Sequence, residues 1–176
     1  MSTLLTPPSL RTTQALGLTT SLLLTGSALN FTFAIVPIIL LAPPSTLLRQ
    51  WKLNFDLGKV SQPPLALISS VSYVYVFAKS WYVRDGAWRN DMWGLLVAAA
   101  LSVGIVPWTV VMMGDVNSRL MEMERGVREM GDGVKEESMR NAHELVDRWG
   151  MLNLVSTGMV GLGAAIGAWK GFGDVV

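Results

Sequence analysis

Residues 92–114 read MWGLLVAAALSVGIVPWTVVMMG, 23 residues without a charge between Asp91 and Asp115. A helix needs about 20 apolar residues to cross about 30 Å of hydrocarbon, so this stretch has the length and composition of a membrane span. Pro107 lies late in it. Proline has no N–H to donate and its ring crowds the preceding turn, which predicts a kink and a freed carbonyl near Val103.

Working outward, the same pattern recurs three times. No charge falls between Arg11 and Arg49, between Lys59 and Lys79, or between Arg148 and Lys170. The first of these is long enough for a span followed by a partly unwound end near Pro37, Pro43 and Pro44. Its opening, Arg11 and then an apolar run reaching small residues at Ser27 and Ala28, also suits a signal peptide. The apolar run continues through Phe31 to Leu41, which favours an uncleaved first span. The second span opens after Pro63 and Pro64, a position where proline is tolerated because first-turn N–H groups lack intrahelical partners. The sequence therefore predicts an all-α membrane protein: one domain over 1–176, a four-helix transmembrane bundle with spans at about 14–41, 63–78, 92–113 and 149–169.

Charge is distributed to match. Charged residues make up 15% of the chain and hydrophobic ones 51%, against about 25% charged in an average soluble domain. Fifteen of the 27 charges fall in 115–148, between spans three and four. That segment predicts an extramembrane helical excursion in two pieces. Leu120, Met123, Val127 and Met130 recur at helical spacing, Gly131-Asp132-Gly133 breaks the run, and Val134 onward reads as helix again with no breaker before Trp149. Leu47 to Val60 mixes Trp51, Leu53, Phe55 and Leu57 with Arg49, Lys52 and Lys59, which suits a segment lying at the membrane interface. Trp81, Trp88 and Trp93 flank a short loop, as an aromatic belt would place them. Lys and Arg counts, nine on one side against five on the other, favour both termini on the non-cytoplasmic side.

Composition also excludes chemistry. Without cysteine there is no disulfide, iron–sulfur cluster or thiolate zinc site. His143 is the single histidine, so one chain cannot build a multi-histidine metal site or bis-histidine haem ligation. The net charge of +1 and the lack of a basic stripe give no reason to expect nucleic acid.

Polar groups inside spans are functional candidates because their burial is expensive. Asn30 and Pro37 are seven apart and share a helix face. Thr109, Met113 and Asn117 form a stripe at four-residue spacing, and Trp149, Asn153 and Ser156 form another. His143 and Asp147 are four apart, so a carboxylate can orient the imidazole if the segment is helical. Plainer readings stand beside these. A lone histidine in a charged helix is often just solvated. Trp149 and Trp169 sit where a belt would put them. The asparagines can simply bond between helices, and Met121, Met123, Met130 and Met139 can simply pack. The Gly163-x-x-x-Gly167 spacing admits close helix approach, either inside the bundle or in a homo-oligomer.

The order of these motifs resembles a known family. Gln50-Trp51, Phe55, Gly58 and Pro63, then Ile105-Val106-Pro107-Trp108-Thr109 with Asn117 and Leu120, then Trp149-x-x-Leu152-Asn153-x-Val155 before a small-residue helix, resemble small four-span membrane proteins that include fungal anthrone oxygenases. The resemblance runs from about Gly26 to Gly167. One departure is that Ser156 stands where an arginine is expected. The resemblance implies oxidation of an anthrone to an anthraquinone by dioxygen as co-substrate, with no metal, flavin or haem. The partners it implies are a hydrophobic aromatic small molecule and the lipid bilayer, and the expected location is a multi-pass endomembrane one. Such chemistry needs a base, donors for the anion's oxygens and an apolar pocket. In that reading His143, oriented by Asp147, is the base. Asn117 and Asn153 are donors, Trp51 and Trp149 are pocket walls, and Asn30, Thr109 and Met113 complete the substrate contacts. The competing expectation is a non-catalytic membrane scaffold acting through 115–148. A transporter has little support, since no span carries a charge and no internal repeat is visible.

Overall fold

The computed structural model describes residues 8–83, 92–130 and 141–172. All regular structure among them is helical. The break at Gly131-Asp132-Gly133, the helix start at Val134, Met139 and Trp88 lie outside the described residues. In chain order the helices are α1 (Pro8–Asn30), a π-helical turn (Phe31–Ile35), α2 (Val36–Ile39), α3 (Pro44–Val83), α4 (Trp93–Val103), α5 (Ile105–Val111), α6 (Gly114–Met130) and α7 (Ala142–Phe172).

Three helical stretches, Ser9–Ile39, Trp93–Val111 and Ala142–Lys170, are long and apolar enough to cross a membrane. The expected second span does not reach that apolarity, because Ser69, Ser70, Ser72, Tyr73 and Tyr75 dilute it. It is also not a separate helix. α3 runs unbroken for 40 residues through Pro63 and Pro64. At 1.5 Å per residue that is about 60 Å, twice the hydrocarbon thickness. The stretch Leu47 to Val60, expected to lie along the interface, is its first half. The two prolines remove two backbone hydrogen bonds, and both are exposed. Leu47, Leu48 and Trp51 are buried before them, and Ala66, Ser69, Tyr73 and Val76 after. No residue from Lys52 to Leu65 is fully buried, and the helix passes through both prolines all the same.

The third span breaks as Pro107 predicts, but at Gly104, which separates α4 from α5. A Cβ at Gly104 would lie 2.8 Å from the Ala100 carbonyl oxygen and 3.0 Å from Met159 Cε, so only glycine fits this close approach. The break also leaves Pro107 in the first turn of a new helix, where it is tolerated. α7 runs from Ala142 without interruption into the apolar stretch ending at Phe172.

The chain, expected to be one domain, separates into two compact units. One comprises Met1–Thr25, Pro63–Ile105 and Gly158–Val176. Tyr73 is its centre: fully buried, hydroxyl 2.9 Å from Ser21 Oγ, packed with Leu10, Val76, Met92, Leu95, Ala98 and Ala99. Ser69 Oγ donates to Ser102 Oγ at 3.2 Å, so the serines of this unit bond to one another across helices. Gly163 and Gly167 face this same interior. A Cβ at Gly163 would lie 3.1 Å from the Ala98 carbonyl oxygen, and one at Gly167 would lie 2.7 Å from Tyr73 Cε1. The close approach that the Gly163/Gly167 spacing permits is thus used within the chain.

The other unit comprises Gly26–Gln62 and Val106–Thr157. Its core is a single cluster of Val36, Ile39, Leu47, Leu48, Trp51, Met113, Val116, Leu120, Val127, Ala142, Val146 and Trp149. All the site residues expected from the sequence lie in this unit. The passages between units fall at or within two residues of glycine or proline, at Gly26, Pro63, Gly104/Pro107 and Gly158.

Candidate functional site

Three helices bring side chains together in the second unit. α3 contributes Trp51, which is fully buried and stacks on Phe55 with ring centroids 5.3 Å apart. α7 contributes Trp149, 6% exposed, set edge-on to Trp51 at 6.3 Å and 89°. The first turn of α6 contributes Asn117, 7% exposed, one turn beyond Met113 of the same core. A T-shaped indole pair places the positive ring edge of one against the negative face of the other.

What sets these three apart is hydrogen bonding. Trp51 Nε1, Trp149 Nε1 and Asn117 Oδ1 are shielded from solvent and have no hydrogen-bond partner among the described residues. Buried indole N–H groups normally find acceptors, and an unsatisfied buried polar group costs about 1–3 kcal/mol. Trp108, in the same unit, follows the rule: its Nε1 donates to the Leu152 carbonyl at 3.2 Å. Two donors and one acceptor are therefore open inside one apolar core. The indoles, read as walls, carry the free donors. Asn117, read as a donor, presents an open acceptor.

Asn153 is buried but already engaged. Its Nδ2 donates to Thr32 Oγ1 at 2.9 Å and approaches the Ala28 carbonyl at 3.4 Å, while Thr32 donates to that same carbonyl at 3.1 Å. It ties α7 to the first helix at its π-helical turn. Asn153→Leu is expected to lower stability by about 1 kcal/mol, the scale of an interhelical hydrogen bond. Thermal unfolding in detergent measures this, and a much larger drop in ligand binding than in stability would count against a tie-only role. The Asn153 carbonyl in turn accepts from Ser156 Oγ at 2.8 Å and Thr157 Oγ1 at 2.7 Å. Ser156, where the resemblance expects arginine, is fully buried and bonded within its own helix.

Asn30 is a correction. It and Pro37 do share a face, as their spacing requires, but that face is exposed. The inward stripe of the first helix is Leu24, Ala28, Thr32, Val36 and Ile39, with Thr32 half-buried. The wider π-helical turn at Phe31–Ile35, where Val36 N–H reaches the Phe31 carbonyl, keeps this four-residue spacing turned inward. Nothing in the sequence marks such a turn. Thr109 is half-buried and Met113 is buried in the core.

His143 is half-buried, and its Nε2 lies 3.1 Å from the Ala42 carbonyl oxygen. A carbonyl only accepts, so Nε2–H is the donor of this bond. Asp147, one turn on, is exposed and makes no hydrogen bond to His143. Among the described residues no three His, Asp or Glu side chains converge as a metal-ligand group would.

The residue that sequence reasoning missed is Glu124, buried at 9% exposure. It lies on the face of α6 that also holds Asn117, Leu120 and Val127. The signal was present: four residues after Leu120 and three before Val127, an acid interrupts an apolar stripe.

The sequence matches a known set of proteins. The anthrone oxygenase family model covers residues 51–166, opening on Trp51 and including Asn117, Glu124, His143, Trp149 and Asn153. The monooxygenase hypC of Dothistroma septosporum is 29% identical over 84% of this chain and 76% of its own length. The anthrone oxygenase encC of Aspergillus fumigatus is 32% identical over 70% of this chain and 72% of its own. The noranthrone monooxygenase of Aspergillus flavus is 28% identical over 81% of this chain and 65% of its own. No solved structure matches the chain. The match from Trp51 onward takes in the open donors, the open acceptor and the buried acid together, and by it the chain belongs to the anthrone oxygenase family.

Proposed function

We propose that this protein oxidises an anthrone-type aromatic polyketide to the corresponding anthraquinone with dioxygen, and needs no bound metal, flavin or haem. The observation that carries the reading is the set of unpaired polar atoms, Trp51 Nε1, Trp149 Nε1 and Asn117 Oδ1, inside an apolar core. A phenolic tricyclic ketone offers what they lack: a carbonyl oxygen to accept from the indoles and a hydroxyl to donate to the asparagine. Its rings suit the surrounding Leu47, Leu48, Met113 and Leu120.

The carbon chemistry needs little else. The methylene opposite the ketone is acidic because its anion is delocalised over three rings onto the ketone oxygen. Two indole N–H donors at that oxygen stabilise the anion more than the neutral ketone, as an oxyanion hole does. The electron-rich anion passes one electron to dioxygen, and the two radicals join at carbon as a peroxide. Loss of the remaining hydrogen there breaks the O–O bond and leaves the second carbonyl, with water released.

The setting is a lipid bilayer. In this reading the second half of α3 makes a fourth crossing beside the three apolar helices, and the charged residues of α6 stand outside the hydrocarbon. Both termini are on the non-cytoplasmic side of an endomembrane, and greasy polyketides reach the site from the lipid. Purified protein with an anthrone under air is expected to form quinone faster than the spontaneous reaction. Treatment with a strong chelator is expected to leave that rate unchanged. Loss of turnover on chelation, restored by one particular metal, would overturn the cofactor-free mechanism.

A further inference from the structure

We infer that Asn117 is a specificity-determining residue that selects anthrones carrying a hydroxyl away from the ketone; this rests on the oxygenase reading above. Asn117 and Asn153 are the buried asparagines among the described residues. Asn153 Nδ2 has Thr32 Oγ1 as its partner, and that bond between helices accounts for its burial. Asn117 has no such account. Its backbone N–H donates to the Met113 carbonyl at 2.8 Å, so the start of α6 is closed without help from the side chain. Its Oδ1 is shielded from solvent and has no hydrogen-bond partner among the described residues. Its neighbours on α6, Val116 and Leu120, are buried in the apolar cluster. A leucine would fill this position without burying an unpaired acceptor.

The open atom is an acceptor, so it fits a donor. An anthrone's ketone has no proton to give, so the oxygen that the two indoles receive cannot also serve Asn117. The donor is a separate hydroxyl. A hydroxyl on the ring carbon closest to the ketone donates to the ketone oxygen within the molecule, and its proton is committed there. A hydroxyl farther round the ring keeps its proton free. Folding has already stripped Asn117 Oδ1 of water. The bond to it is therefore gained on binding and is not exchanged for a bond to solvent. A site that hydrogen-bonds a substrate hydroxyl discriminates strongly against the analogue that lacks it. In this reading α3 and α7 supply the donors for the ketone oxygen and α6 reads the hydroxyl. The two contacts together fix how an unsymmetrical anthrone lies.

The test measures enzyme-dependent quinone formation, with the spontaneous rate subtracted. The substrates are anthrone, 1-hydroxyanthrone, 3-hydroxyanthrone and 3-methoxyanthrone. The methoxy compound keeps the oxygen and has no proton to donate. Wild type is expected to oxidise 3-hydroxyanthrone with a kcat/KM about 10 to 10² fold above the other three. In Asn117→Leu that preference is expected to disappear. The preference is a ratio within one protein, so a loss of folded protein lowers every rate alike and leaves it unchanged. If Asn117→Leu does not fold at all, the hydroxy and methoxy compounds compared in wild type decide. Equal kcat/KM for those two in wild type would overturn the assignment and leave the oxygenase reading standing. So would a preference that 1-hydroxyanthrone shares, or one that survives in Asn117→Leu. If wild-type protein oxidises none of the four, the functional reading itself fails, and the role of Asn117 with it.

Discussion

Replacing Trp51 or Trp149 by phenylalanine is expected to lower anthrone turnover by about 10² to 10³ fold, the scale of removing one oxyanion-hole donor, with little loss of stability. Each substitution deletes an N–H that has no acceptor among the described residues and keeps a ring in the core. Deleting an unsatisfied buried donor recovers part of its cost of about 1–3 kcal/mol, and the lost ring volume offsets this. Trp108→Phe is the matched control. It makes the same chemical change, but it breaks the bond to the Leu152 carbonyl. Stability should therefore fall by about 1 kcal/mol more than in the other two variants, with turnover largely kept. Initial rates and thermal midpoints of the three variants decide the matter. Equal behaviour of all three would mean that the unpaired indoles have no special part.

Gly167→Val is expected to be among the most destabilising single changes, by about 1–3 kcal/mol or enough to prevent folding. A Cβ at this position overlaps the Tyr73 ring, and that ring is fully buried and bonded to Ser21. Gly158, on the same helix, has nothing within 4 Å of such a Cβ. Gly158→Ala should be neutral or stabilising by up to about 1 kcal/mol, from helix propensity alone. Because Tyr73 belongs to the same chain, the Gly167→Val effect should not depend on protein concentration. Thermal unfolding at two concentrations measures it; a midpoint unchanged from wild type would mean that the small-residue stripe does not pack against Tyr73.

The helices themselves were legible because lipid and core impose simple rules. A charge-free run of 19 or more residues predicted helix in each case, and the uninterrupted entry of α7 into its apolar stretch followed from the lack of a breaker. Trp51, Asn117, Trp149 and Asn153 were each read as site residues, and each is buried. Three things were not legible. Pro63 and Pro64 looked like a helix start, because proline is favoured in a first helical turn, whereas α3 runs straight through them. Asn30 was read as a substrate contact, yet its face is exposed, because periodicity groups residues onto a face without saying which face is covered. Glu124 was read with the solvated charges of its segment, since charge density outweighed its place in the apolar stripe. Hydrogen-bond satisfaction, which separates Trp51 and Trp149 from Trp108, exists only in three dimensions.

The account turns on whether the open indole N–H groups receive a ligand oxygen. The chain has seven tryptophans, and indole ¹⁵N labelling gives one N–H resonance for each. Those of Trp51 and Trp149 are assigned by their loss in the phenylalanine variants. On adding an anthraquinone in detergent or nanodiscs, these two resonances should move downfield as hydrogen bonds form, while those of Trp108 and Trp169 stay in place. Saturating anthraquinone that leaves Trp51 and Trp149 unmoved would contradict the proposed site.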